Sequence, residues 1–235
     1  MTDTHSEDEQ EITKSESVVS TSQGADQTNP SEGKTALSGF WEFLIRNGLE
    51  SKQNLDSSSV GLPKLTVVFD LDLTLIYSSK QKLFPAQQRL ASGKYFTAIR
   101  PHCITLLKNI RPLCNIMMFS LGTESYVKDV LTLIDPNGEY FDKIFSKKSC
   151  TNVYGMWAKD LGKTGADLKR TVLIDDKRQS FLHQPFNGIP ILPWTGEAND
   201  EELLRIEKII MELLEEKNVC EILKKQYDLR KKFRF

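Results

Sequence analysis

Two apolar runs in this chain end in paired carboxylates. Leu65-Thr66-Val67-Val68-Phe69 passes directly into Asp70-Leu71-Asp72-Leu73-Thr74, and Thr171-Val172-Leu173-Ile174 ends in Asp175-Asp176. An ionised Asp costs several kcal/mol to bury unpaired, so acids at the ends of buried strands need a metal, a cation or a shared proton. A metal satisfies the most carboxylates at once. In an open parallel sheet ligands sit beyond the carboxyl ends of the strands, so the two tips would aim into one crevice. Such an oxygen-rich point suits a hard cation such as magnesium, which keeps positions for water and a substrate phosphate. An isolated Asp-x-Asp is explained as well by turn capping. Two acid-tipped strands together favour the metal site.

The residues between these tips supply further parts. Cys114-Asn115-Ile116-Met117-Met118-Phe119 reads as a third apolar strand ending in Ser120, followed by a helix from Thr123 to Ile134. A hydroxyl and free N–H groups at such a strand-to-helix junction can hold a phosphate oxygen. Lys159 supplies a cation before the last acid tip. Its interest lies in the order: acid pair, hydroxyl, lysine, acid pair.

Other phosphate chemistries fail on spacing. A cysteine phosphatase would need Cys-x5-Arg, but six residues after Cys103 stands Asn109. Gly162-Lys163-Thr164 looks like the end of a P-loop, yet Trp157 occupies the position of the first glycine. Cys103, Cys114, Cys150 and Cys220 show no paired spacing, and His5, His102 and His183 are scattered, so no zinc site is indicated. The cysteines are expected to be reduced, as in an intracellular protein.

The elements that must position these groups alternate between strand and helix. Gly93 to Ile99, after Leu83-Phe84, reads as the return strand of a short hairpin inserted behind the first strand. Pro101 to Ile110 reads as a helix with proline at its start. Ile189-Pro190-Ile191-Leu192 reads as a short edge strand. Asn199-Asp200 would cap a helix with Leu203, Ile206, Ile210, Leu213 and Leu214 as its core stripe and Glu201 paired to Arg205. Val219 to Tyr227 is read as a turn region leading to a solvated basic end at Leu229 to Arg234.

At 235 residues, 39% hydrophobic and 27% charged, the chain suits one soluble domain, 61–235, plus a tail, 1–60. Residues 1–30 hold seven acids against Lys14 alone, with few large apolar groups, so the tail is expected to be disordered. The first 60 residues carry 11 acids and 4 bases, leaving 21 acids and 27 bases; the net −1 therefore splits into −7 and +6. A basic domain suits an anionic phosphopeptide. Phe40, Trp41, Leu44 and Ile45 have helical spacing within 39–46, which fits either a short helix docking onto the domain or an adaptor-binding motif. No apolar run approaches 18 residues and no basic leader is visible, so neither a membrane span nor a standard mitochondrial targeting segment is expected.

With these residues in order, the chain resembles the haloacid dehalogenase superfamily and, more closely, the RNA polymerase II C-terminal-domain phosphatase family. The resemblance runs from about Lys64 to Leu214. It is carried by Asp70-Leu71-Asp72-Leu73-Thr74, Ile99-Arg100-Pro101-His102, Phe119-Ser120, Tyr126, Ile134-Asp135-Pro136, Ser149-Cys150, Lys159-Asp160-Leu161 and Ile174-Asp175-Asp176. It implies an α/β fold: a haloacid-dehalogenase-like Rossmannoid parallel sheet with flanking helices, a small β-hairpin insert and no large cap domain.

It also implies a magnesium-dependent protein serine/threonine phosphatase acting through an aspartyl-phosphate. Asp70 would be the nucleophile, Asp72 the general acid and base, and Lys159 the cation that neutralises phosphoryl oxygens. Thr74, Ser120, Tyr126 and Lys147 would bind the substrate phosphate. Magnesium would be held by Asp70, the Asp72 carbonyl and Asp176, with Asp175 in support. The implied partner is a phosphorylated protein or peptide, with no direct nucleic-acid contact, in the nucleus or cytoplasm.

Three positions depart from the family pattern. Leu121-Gly122 replaces the usual Ala-Ser, the insert between Ser79 and Arg100 is short, and Lys147 stands where many relatives have arginine. Lysine offers a point charge instead of a bidentate fork. The stretch from Gln184 to Gly196 and the helix beyond it also resemble the presequence-receptor subunit of the mitochondrial inner-membrane import translocase. That resemblance implies the alternative of a binding role at the mitochondrial inner membrane.

Overall fold

Residues 61–227 are described by the structure, a computed structural model; the 39–46 segment, the acidic tail and the basic end from Leu229 lie outside them. In chain order the elements are β1 (Leu65–Phe69), β2 (Ile76–Ser79), β3 (Gln88–Arg89), β4 (Phe96–Ile99), α1 (Cys103–Ile110), β5 (Cys114–Phe119), α2 (Glu124–Ile134) and β6 (Lys143–Phe145). They continue with β7 (Thr151–Val153), β8 (Met156–Ala158), β9 (Thr171–Asp175), β10 (Gly188–Pro190), α3 (Glu202–Leu213) and α4 (Val219–Tyr227).

The three apolar runs become the middle of one parallel sheet of order β10-β9-β1-β5-β6. Every residue of β1 is buried, as expected for a parallel strand covered on both faces. Alternation then divides its side chains between two cores. Leu65, Val67 and Phe69 join the larger one with the stripes Leu106, Leu107 and Ile110 of α1, Val127, Val130 and Ile134 of α2, and Leu203, Ile206, Ile210 and Leu213 of α3. Val68 points the other way, into a smaller cluster with Met117, Phe119, Leu173, Leu161 and Phe181. The latter two residues belong to short 3-10 turns, Leu161–Thr164 and Arg178–Phe181.

The insert after β1 is a three-stranded antiparallel sheet, β2-β4-β3, rather than a simple hairpin. The buried amide of Gln87 holds its loop, donating to Ser79 Oγ at 2.8 Å and to the Phe96 carbonyl at 3.1 Å while accepting from Leu83 N–H at 2.7 Å. A second hairpin, β7-β8, turns through Tyr154 and Gly155, both at positive φ. Among the described residues these two small sheets are the only ones beside the parallel sheet.

Several sequence expectations need correction. Val219–Tyr227 is a helix; Val219 and Leu223, four residues apart, bury one face of it, and this short stripe is hard to see in a segment otherwise so polar. The edge strand is Gly188–Pro190, displaced from the expected 189–192, and it does lie at the sheet edge. α1 starts at Cys103, after His102 in a left-handed conformation at φ 65. The ion pair on α3 joins Arg205 to Glu202 at 2.7 Å instead of Glu201, because Arg205 also donates to the Pro190 carbonyl and Glu202 accepts from Leu192 N–H.

Two buried arginines fasten distant segments. Arg170 donates to the carbonyls of Leu213, Leu214 and Glu216, closing the C-terminal end of α3, and to the Pro63 carbonyl just before β1. Arg100 donates to the carbonyls of Leu73 and Thr74, both at 3.2 Å, and forms a bidentate pair with Asp200 at 2.6 and 2.8 Å. Asp200 also accepts from Glu202 N–H at 3.3 Å while holding Arg100, although the N-cap position of α3 falls on Glu201 and not on the expected Asn199-Asp200.

Candidate active site

β1 and β9 are adjacent and in register, with Phe69 opposite Ile174, so their acid tips emerge side by side. The backbone N–H of Asp70 donates to the Ile174 carbonyl at 2.9 Å. Lys159 leaves the end of β8 and is itself buried, and its Nζ lies 2.5 Å from Asp70 Oδ1 and 2.6 Å from Asp175 Oδ2. Its backbone N–H is held by the Ser180 carbonyl at 3.2 Å. The other oxygen of Asp175 accepts the Lys177 N–H at 2.8 Å. Both oxygens of Asp175 are thus engaged, which casts it as a support for the lysine.

Burial pushes the Asp70 carboxyl above its ordinary range, against the lowering pull of Lys159. Burial and the neighbouring Asp70 charge raise Asp175 to about 6. Burial would lower Lys159, but Asp175 and Asp70 outweigh it and hold the ammonium firmly charged. Burial thus lifts the carboxylates, the acids in turn lift Lys159, and the acids at this point outnumber the ammonium bonded to them. Asp176 is raised by burial and by the charge of Asp175.

A divalent cation fits this deficit. Carboxylate oxygens of Asp70, Asp175 and Asp176 lie within 4.8 Å of one another, so three acids face the single ammonium of Lys159. Asp176 Oδ1 and Thr74 Oγ1 are buried without a hydrogen-bond partner. Orphaned polar atoms of this kind point to a ligand or ion. Asp72 is not part of this carboxylate group. Its side chain turns to Tyr126, whose hydroxyl donates to Asp72 Oδ1. Burial raises the Asp72 carboxyl, with the Tyr126 bond pulling the other way.

Leu73, between Asp72 and Thr74, adopts φ 65. That left-handed turn is strained for a leucine and is held from outside, by Arg100 and by Trp194 N–H on the Leu73 carbonyl at 2.8 Å.

Ser120 ends β5 fully buried, its Oγ accepting from Gly122 N–H at 2.9 Å. Gly122 accounts for one departure from the family pattern: a Cβ there would meet the Tyr126 ring at 2.6 Å and Ser120 Oγ at 3.1 Å. Lys147 is exposed, and its Nζ sits 5.2 Å from the centre of the Trp157 ring. Its backbone N–H donates to the Gly122 carbonyl at 2.9 Å, tying it to the Ser120 loop.

The structure therefore gathers Asp70, Lys159, Asp175 and Asp176 directly, links Tyr126 to Asp72, and leaves Lys147 at the rim. Two residues escaped the sequence reading. Lys177 exerts a lowering charge on both Asp72 and Asp176, and its place directly after the second acid pair could have revealed it. Ser78, 2.7 Å from the Tyr126 hydroxyl, gave no signal because nothing in a strand's sequence says which helix it will face.

The site is thus an acid-tipped parallel sheet with a buried lysine across two aspartates. Residues 65–220 match the family model described as NLI interacting factor-like phosphatase, and the chain belongs to that family. It is 35% identical over 150 residues to CTD small phosphatase-like protein 2 of Dictyostelium discoideum, covering 61% of this chain and 26% of that protein. It is 31% identical over 175 residues to CTD small phosphatase-like protein 3 of Caenorhabditis elegans, covering 72% of this chain and 61% of that one. The chain thus spans less than two thirds of the length of these relatives.

Among solved structures it is similar to Fcp1, an essential RNA polymerase II CTD phosphatase, with 18% identity, a TM-score of 0.57 and coverage of 69% of this chain and 70% of that one. That likeness is one of fold. Neither the family model nor these relatives bear the import-subunit description, so the second resemblance gains no support. No helix among the described residues is long and apolar enough to cross a membrane.

Proposed function

We propose that this chain is a magnesium-dependent phosphoprotein phosphatase of the serine/threonine class, acting in nucleus or cytoplasm, that carries the phosphoryl group on Asp70. The observation that supports this most is the Lys159 ammonium shared between Asp70 and Asp175 beside the orphaned oxygens of Asp176 and Thr74. A carboxylate with one oxygen held by a buried cation is fixed in place for attack. Relatives named as CTD small phosphatase-like, and one named as a carboxy-terminal domain RNA polymerase II polypeptide A small phosphatase, support a phosphoprotein substrate.

An oxygen of Asp70 forms a bond to phosphorus as the bond to the serine oxygen breaks, and Asp72 gives its proton to that leaving oxygen. In the second step a water passes a proton to Asp72, its oxygen bonds to phosphorus, and Asp70 and inorganic phosphate are released. Lys159 balances charge on the phosphoryl oxygens throughout. Ser120 accepts from Gly122, so its own proton can serve a phosphate oxygen, and Thr74 Oγ1 can do the same. Magnesium, held by Asp70, Asp176 and the Asp72 carbonyl, would screen the repulsion between the nucleophile and the phosphate.

The test is hydrolysis of a chromogenic phosphate ester by purified protein, with magnesium and with a chelator. Magnesium-dependent turnover that Asp70→Asn abolishes is expected. A folded wild-type protein that hydrolyses no phosphate ester in magnesium overturns the reading.

A further inference from the structure

The three-stranded insert carries more than its own fold. Its strands β2 and β4 place Ser78 directly opposite Thr97, with the two hydroxyl oxygens 2.6 Å apart. Ser78 Oγ lies 2.7 Å from the Tyr126 hydroxyl, and Tyr126 reaches Asp72 Oδ1. Tyr95, also on the insert, packs edge-on against the Tyr126 ring with centroids 5.2 Å apart. Thr97 is buried and Ser78 and Tyr126 are half-buried, so this line of hydroxyls is largely shielded from bulk water.

Each hydroxyl has one proton to give, so with Tyr126 donating to Asp72 the direction of the rest of the line is set. Asp72 Oδ1 accepts the proton of Tyr126. Tyr126 then has none left for Ser78, so the Ser78 hydroxyl donates to Tyr126 and the Thr97 hydroxyl donates to Ser78. Every partner is spent, and Tyr126 cannot turn its O–H elsewhere without breaking the line. Because Oδ1 accepts from Tyr126, the proton that Asp72 transfers must sit on Oδ2.

We propose that the insert is a positioning device for the general acid: Thr97, Ser78 and Tyr126 hold Asp72 with Oδ1 occupied, so that Oδ2 delivers the proton to the leaving oxygen. This rests on the phosphatase reading. In the step it serves, the Oδ2–H bond breaks as the serine O–H bond forms, while phosphorus exchanges the serine oxygen for an Asp70 oxygen. Tyr126 is thereby a positioning residue, and Gly122 has no side chain because one would displace the tyrosine ring.

An alkyl leaving oxygen depends on that proton far more than a nitrophenolate does. The experiment therefore measures kcat and KM for a phosphoserine peptide and for p-nitrophenyl phosphate, in wild type, Asp72→Asn, Tyr126→Phe, Ser78→Ala and Thr97→Val. The ratio of peptide kcat to nitrophenyl kcat is expected to fall about tenfold in Tyr126→Phe and about threefold in Ser78→Ala, with the largest fall in Asp72→Asn and peptide KM changing less than about twofold. Thr97→Val keeps the shape of threonine and should lower the ratio in the same direction, which keeps the test open if Ser78→Ala folds poorly.

An equal fall on both substrates would make Tyr126 and Ser78 general structural supports and sink the inference. So would an effect confined to peptide KM, which would make Tyr126 a substrate contact. A wild type inactive on both esters defeats the phosphatase reading itself. If the ratio falls in Asp72→Asn but not in Tyr126→Phe, Ser78→Ala or Thr97→Val, that reading stands and the positioning chain alone is wrong.

Discussion

Arg100 and Asp200 stand a hundred residues apart in sequence and meet in a bidentate ion pair, with the guanidinium wholly buried and the carboxylate nearly so. The remaining nitrogen of Arg100 grips the Leu73 and Thr74 carbonyls. One side chain therefore joins the start of α3 to the turn that carries Asp72 and the orphaned Thr74 hydroxyl. Lysine cannot satisfy both sets of partners. Arg100→Lys should cost about 2 kcal/mol, a fall of roughly 4–8 °C in Tm for a domain of this size, and lower kcat as well. Thermal melts of Arg100→Lys, Asp200→Asn and the double variant should show a coupling of about 1–3 kcal/mol. Strictly additive losses would show that the pair does not act as a unit.

Lys159 is the only cation bonded to the buried Asp70 and Asp175 carboxylates among the described residues. Replacing it with Met leaves two carboxylates in a dry site without their counter-charge, a loss of about 3–5 kcal/mol. Lys159→Met should melt well below wild type in a chelator, and magnesium should recover part of the deficit through the same carboxylates. Urea titrations with and without magnesium measure both. A variant as stable as wild type in the chelator would mean that the acids are already protonated in the native state.

The exposed position of Lys147 suits an anchor for a phosphate arriving from outside. An uncapped site gives a small substrate little to hold, whereas a peptide can use neighbouring contacts to place its phosphate. Phosphoserine peptides should therefore exceed sugar phosphates and nucleotides in kcat/KM by on the order of a hundredfold, about 3 kcal/mol of transition-state binding. Lys147→Ala should narrow that gap. Equal or better turnover of sugar phosphates would reject the phosphoprotein assignment while leaving the aspartate chemistry intact.

The thiols of Cys103 and Cys114 are each pushed up to about 12 by burial. Unfolded thiols ionise near 9, so between these values the unfolded chain has lost protons that the native chain keeps. Stability from the two thiols is therefore fully present below about pH 9 and is lost as pH rises toward 12, by about 1.4 kcal/mol per pH unit for each. Denaturant melts at pH 9, 10 and 11 should show the slope, reduced by half in Cys103→Ala. Both thiols should also resist alkylation at pH 8 until the protein unfolds.

The sheet and its acid tips were legible because three short, largely apolar runs suit buried strands, and each ends in a polar residue that a buried strand does not need. Ser120 and Lys159 were legible by their order along the chain. What escaped depends on packing across long separations. The spacing of Tyr126 on its helix says only that it shares a face with Val130, and its partner Asp72 is 54 residues away. Arg205 chose Glu202 over Glu201 because the neighbouring Pro190 carbonyl also needed a donor. The strands Thr151–Val153 and Met156–Ala158 are too short for an alternation to register.

The placement of Asp70 and Asp175 on neighbouring strands, 105 residues apart in sequence, has a consequence for synthesis. At roughly 5–20 residues per second a ribosome needs on the order of 5–20 seconds to travel from one acid to the other. Between residues 119 and 159 the nascent chain holds Asp70 and both strands of the β1-β5 pair but neither Lys159 nor β9, so Asp70 has no buried cation to face. The emerging half-sheet must keep its β1 edge in water or on a chaperone until β9 arrives and seals it. Assembly of the Lys159-bridged acid cluster and closure of the sheet are then a single late event, and a chain released before residue 175 is expected to show no phosphatase turnover.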